Sequence, residues 1–192
     1  MSRFARYMAT LFGSKVIVSD TFTRADSNTT LGNAETGQAW SISGTAVYGI
    51  ASNKAKRVSG SVWTFPYIDA GVPDCSMSVT LSVKSATEFW IIRMVDATNF
   101  LMVQHSAGSL KFYLYKCVND TLTGIATSGN CTNVNGDVLK FVLSGTSIKL
   151  YQNGTLRIDT TDSTHQTGTK FGFGCSDGNT ISRFDDFIVE AL

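Results

Sequence analysis

A chain of 192 residues, 43% hydrophobic and 16% charged, has the size and apolar content of one folded β domain, which excludes a disordered segment. Its formal net charge of +1 gives no general attraction for nucleic acid, and no run of roughly 18 apolar residues is present to cross a bilayer as a helix. Cys75, Cys117, Cys131 and Cys175 lack C-x-x-C spacing, which argues against a zinc ribbon or a redox pair. An even count permits disulfides, but a chain of this size does not need them, so buried reduced thiols are the expectation.

Residues 1–15 read as a helical arm. Phe4, Tyr7, Met8, Leu11 and Phe12 recur at i, i+3, i+4, i+7 and i+8, which is one apolar stripe on a helix. Gly13 is placed to cap it. Arg3, Arg6 and Lys15 make the arm basic, leaving the body mildly acidic. So short a helix is marginal alone in water. The stripe is therefore expected to anchor on something: the chain's own body, a neighbouring subunit or particle surface, or a membrane interface. Arg6 interrupts the apolar run that a secretory signal would need, so export by that route is not expected.

From residue 16 to 192 the rhythm changes to period two. Val16–Val18 opens a strand, and a polar loop follows over 23–38. Strand candidates then recur at 39–43, 46–51, 54–59, 75–84, 87–95, 99–105, 109–117, 121–127, 137–144, 147–152, 155–160, 169–174 and 182–190. Short, regularly spaced strands with turn residues between them predict an all-β, two-sheet antiparallel sandwich of jelly-roll type. Asn153-Gly154 predicts a type I′ hairpin, and 118–121 predicts another tight turn. In 109–117 the residues Leu110, Phe112 and Leu114 fall on one side, and Lys111, Tyr113, Tyr115 and Cys117 on the other. Such alternation suits a sheet with one wet face.

Reactive constellations are scarce. Glycoside hydrolysis needs two carboxylates about 5–9 Å apart across the bond. Glu35, Glu88 and Glu190 are the only glutamates, and none is followed by an acid two or four residues on. Nucleophile-elbow, zincin and phosphate-loop motifs are missing. His105 and His165 have no adjacent carboxylate or thiol. The pattern predicts no enzyme and no required cofactor. Calcium is a weaker candidate through the loop acids Asp159, Asp162, Asp177, Asp185 and Asp186. Glycan stacking needs rigid exposed aromatics with polar neighbours. Trp63 and Tyr67, the set Lys111, Tyr113 and Tyr115, and Arg93 are the glycan-binding candidates. Trp90 is a further one, although Trp40 and Trp90 are more often core plugs in sandwiches.

Two stretches carry a resemblance. Asp20–Ser27 leads to Leu31-Gly32-Asn33 and Gly37-Gln38-Ala39-Trp40. Phe171-Gly172-Phe173-Gly174 leads to Arg183–Phe187. Arg93–Phe100 and Tyr151–Thr155 fall between them in order. Over about 16–190 the chain resembles the concanavalin A-like lectin/glucanase superfamily, in the laminin-G-like form found in phage tail and minor structural proteins. The resemblance implies that the first and last strands lie side by side, bringing Asp20 and Phe22 near Phe184 and Phe187. With the basic arm, it implies a virion protein, a capsid decoration or tail-associated module. Such a protein would contact other virion proteins through the arm, form an oligomer or array, and face a cell-surface glycan. A free-standing carbohydrate-binding module is the alternative.

Overall fold

The computed structural model of the protein describes residues 15–60, 63–85, 87–175 and 180–192. The expected arm, with Phe4, Tyr7, Met8, Leu11 and Phe12, lies outside them. The described residues form fifteen strands, numbered in chain order, and no helix.

The strands build two antiparallel sheets. One runs β13 (Thr155–Thr161), β12 (Ser147–Gln152), β11 (Asp137–Ser144), β6 (Cys75–Val83), β15 (Arg183–Ala191), β4 (Ala55–Ser59), β3 (Val47–Ile50), with β1 (Val16–Asp20) also paired to β15. The other runs β10 (Thr121–Thr127), β9 (Lys111–Val118), β8 (Asn99–Ser106), β7 (Glu88–Asp96), β14 (Lys170–Cys175), β5 (Phe65–Asp69), β2 (Ser41–Ser43). Period-two alternation aims Trp90, Ile92, Leu101, Val103, Phe112, Leu114, Phe171 and Phe173 inward from the second sheet. They meet Met77, Val79, Leu81, Leu139, Phe141, Leu143, Phe184 and Val189 of the first. Trp90 and Phe141 touch across the layers with ring centres 6.4 Å apart. Each such side chain contributes about 1.5–3 kcal/mol on leaving water, so this layer dominates folding.

The opening and closing motifs meet in one knot. Asp20 pairs with Phe187 across the β1–β15 ladder. Its fully buried carboxylate accepts hydrogen bonds from Trp40 Nε1 at 2.7 Å and the Phe22 backbone N–H at 2.8 Å. Arg24 grips both of its oxygens, at 3.0 and 2.7 Å. The charge is tolerated inside because every contact donates a proton to it. The Trp40 ring then packs edge-on against Phe173 and Phe187, at 5.4 and 5.0 Å. At the same end of β15, the Ala191 N–H donates to Lys15 O, so the two ends of the described chain lie side by side.

Both predicted turns form. Asn153 and Gly154 take φ of 49° and 78°, and Asn119 and Asp120 take 49° and 61°, as a two-residue I′ hairpin requires. Three readings need correction. Leu110 does not enter β9: it sits at φ 52° and is exposed, and Lys111 opens the strand. The segment Phe65–Asp69 is a strand, hidden in the sequence by Pro66. Trp90 is a core side chain, fully buried, as is usual for this residue in a sandwich. All four cysteines are free and buried.

Replacing Asp20 by alanine strands the Trp40 and Phe22 donors. Urea unfolding should show a loss of about 2–4 kcal/mol, below the full cost of a broken buried pair because Arg24, 26% exposed, can turn to water. Burial pushes the Cys75 thiol up to about 12 and Cys117 above its ordinary value. A thiol reagent at mildly alkaline pH should therefore label almost no cysteine in the native protein and all of them in denaturant; rapid native labelling would contradict the packing.

Candidate functional site

The outer face of the seven-stranded sheet departs from the wet face that alternation predicts. Strand β7 is buried along Glu88–Met94 on both sides. Its outward residues, Phe89, Ile91 and Met94, join Phe65, Phe100, Met102 and Cys117 in a second apolar cluster. The cause is β14. Its inward positions are Phe171 and Phe173, and its outward positions are Gly172 and Gly174. A Cβ on Gly174 would lie 2.5 Å from the Phe89 ring. A Cβ on Gly172 would lie 2.1 Å from the Pro66 carbonyl oxygen, so the β5 backbone closes over the glycine strand. Phe65 thereby crosses to touch Phe89 and Phe100, at ring distances of 5.9 and 5.5 Å.

Register aligns the polar aromatics on this face. Tyr67 pairs with Gly172, Gly172 with Ile91, Ile91 with Met102, and Met102 with Tyr115. Tyr67 and Tyr115 thus flank one cross-strand row, both packed on the apolar cluster. The next row carries Phe89, Gln104 and Tyr113. Tyr113 and Tyr115 stack at 6.1 Å with planes 20° apart, and the Tyr113 hydroxyl donates to Ser109 Oγ at 3.0 Å. Burial, then the neighbouring Tyr113, raises the Tyr115 hydroxyl pKa, so this phenol stays a neutral donor. Lys111 follows the same alternation.

Beside these rows lies a cleft of about 240 Å³. Phe65, Phe89, Phe100 and Met102 make its floor. Trp63, 44% exposed, rises on one side, its ring 5.4 Å from Phe89. Asp120 and Leu122, from the β9–β10 hairpin, line it as well.

No protein-family model and no curated protein matches the chain. Solved structures do. Carbohydrate binding module CBM66 from Bacillus subtilis is 20% identical, with 79% of this chain and 95% of that one covered, at a TM-score of 0.67. Domain 4 of AbnA, a GH43 extracellular arabinanase from Geobacillus stearothermophilus solved with arabinotriose, is 13% identical, with 93% of each chain covered and a TM-score of 0.60. LamAcat from Zobellia galactanivorans is 10% identical, with 96% and 100% covered and a TM-score of 0.61. The chain shares its two-sheet sandwich fold with these structures. At these identities the likeness carries the fold alone.

Within this sandwich, Trp63, Tyr67, Lys111, Tyr113 and Tyr115 share the outer face of one sheet. Arg93 does not join them. Its side chain is fully buried, where Nη2 pairs with Asp74 at 2.8 Å and Nη1 donates to Gly145 O at 2.7 Å. It ties the loop before β6 to the β11–β12 turn, so its place as a glycan contact is withdrawn. The acids considered for calcium are engaged one by one, two of them in strands: Asp159 in β13 with Lys149, Asp162 with Lys116, and Asp185 in β15 with Lys54. Asp177 lies outside the described residues, and among the described residues no three metal-type side chains gather. Sequence reading missed Phe65, Phe89, Phe100, Met102, Leu122 and Gln104. The unbroken apolar run in Glu88–Met94 was the available signal, since a strand without alternation is covered on both faces.

A methyl group on Gly174 has nowhere to go except into Phe89. Gly174→Ala should cost about 1–3 kcal/mol in thermal or urea unfolding, and should shift the Trp63 emission because Phe89 supports that ring. An unchanged unfolding midpoint and spectrum would contradict the close approach.

Proposed function

We propose that the protein is a non-catalytic carbohydrate-binding domain that uses the outer face of the seven-stranded sheet. The observation that carries this reading is the delivery of Trp63, Tyr67, Tyr113 and Tyr115 to that one face. Stacked phenols present flat apolar rings to sugar C–H groups at little entropic cost. Gln104 and Lys111 supply planar and charged hydrogen-bonding groups beside them. The neighbours support it: one is a carbohydrate-binding module, and another was solved with arabinotriose. Hydrolysis would ask for a facing pair of carboxylates, and among the described residues Asp120 is the one acid that lines the cleft.

A glycan array followed by calorimetry tests this. Tyr113→Ala with Tyr115→Ala should weaken the best glycan about ten- to a hundredfold, at about 1–2 kcal/mol per stacking ring. Binding unaffected by the pair, or turnover of the bound glycan, would refute the reading.

For the setting, we carry forward a phage virion, with the basic, apolar-striped arm as an anchor to other virion proteins in an oligomer or array. The arm's sequence pattern and the resemblance to phage tail and minor structural proteins support it. Removing residues 1–13 should abolish incorporation into particles while leaving glycan binding intact. Normal incorporation of the shortened chain would remove the anchoring role.

A further inference from the structure

The cleft beside the tyrosine rows has a composition unlike a sugar subsite. A sugar ring displays hydroxyls around its edge and needs donors and acceptors to meet them. Here the walls are aromatic or aliphatic, and Asp120 is the only charged residue among them. Four rings form a box: Trp63 and Phe65 each contact Phe89, and Phe65 meets Phe89 and Phe100 nearly edge-on, with planes 86° and 75° apart. Phe65, Phe89 and Phe100 are buried and line the floor, and Trp63, 44% exposed, presents the accessible ring. Among the described residues, no lysine, arginine or histidine lines the space. After burial, the carboxylates of Asp120 and Asp96 both hold the Cys117 thiol above its ordinary pKa, and Cys117 lines the cleft. Asp96 is fixed at the neighbouring turn by bonds from Thr98 and Asn99.

We propose that this cleft binds a quaternary ammonium group, such as the trimethylammonium of choline, between the Trp63, Phe65, Phe89 and Phe100 rings with Asp120 at the rim. A cation is drawn to ring faces by their quadrupoles, and indole draws it most. A primary ammonium does not suit the site, because its tight hydration shell would be stripped with one carboxylate to replace it. A neutral apolar group would fit the walls but draw nothing from Asp120 or Asp96. The trimethylammonium group has both a methyl surface for the walls and a fixed charge for the carboxylates. A choline-decorated glycan would then span the cleft and the tyrosine rows. The inference also stands without the glycan reading, since choline alone is the probe.

Trp63 is the exposed indole of the three, with Trp40 and Trp90 buried, so tryptophan emission reports on the cleft. Titration with choline should give a saturable change. The neutral isostere, in which a tert-butyl group replaces trimethylammonium, should bind about tenfold more weakly. Asp120→Asn should weaken choline several-fold and leave the isostere unchanged. Trp63→Ala, followed by ligand-observed NMR, should lose choline, whereas Trp63→Phe should keep part of the affinity. Equal affinity for choline and the isostere would overturn the proposal, leaving a plain apolar cleft. A linear response up to ~100 mM choline would overturn it as well. Glycan binding that survives in Asp120→Asn while choline binding falls supports a separate ammonium subsite, and choline binding without any glycan binding sinks the glycan reading alone.

Discussion

Strand β14 must serve two faces with six residues, and the rest of the architecture follows from how it does so. Two of its inward side chains are phenyl rings, and the outward positions between and after them have no side chain at all. Phe171 and Phe173 fill the interior, where Phe173 stacks on Phe184 at 4.4 Å. Gly172 and Gly174 open a trough outside, into which Phe89 lies down from one neighbouring strand while β5 leans over from the other. Without that trough Phe65 could not reach Phe100, and the outer face would be a flat, wet sheet with no cleft in it. Glycine weakens a strand by itself, and here the loss is offset by rings that bury themselves over the gap.

Legibility in the sequence followed the length scale of the physics. Strand positions came from period-two alternation and turn residues, which are local, and most were recovered to within a residue or two. The pairing of β1 with β15 is not local; it was an implication of the family resemblance that the motifs around Asp20 and Phe187 carry. The aromatic face was half legible. Tyr113 and Tyr115 were visible because they alternate with Phe112 and Leu114. Phe65 was not, because Pro66 masked its strand and nothing in a linear pattern says that a backbone will lean across glycines. Arg93 went the other way. Its charge suggested a surface, but β7 turns there at a positive φ of 48°, and the side chain enters the protein to meet backbone oxygens and Asp74. A buried arginine is invisible to composition because its partners are mainly carbonyl groups, which every residue has.

The two sheets also differ in what they show to solvent. The outer face of the eight-stranded sheet carries Ser78, Thr80, Lys140 and Glu190, with ion pairs such as Lys140–Glu190 at 3.9 Å. Exposed pairs of this kind add little stability and keep a β surface well hydrated. The opposite face concentrates rings. Under the proposed reading, glycan contact falls on the ring-bearing side.

The hydrogen bond from Ala191 to Lys15 gives that direction a mechanical meaning. Any tether attached through either of these residues leaves from one corner of the eight-stranded sheet. Tension on such a tether would load β1 and β15 together, along a ladder that already carries the buried Asp20 knot, and would leave the aromatic side turned outward. A domain held in this way can pivot about a single point without hiding its recognition surface, which suits presentation in a crowded layer.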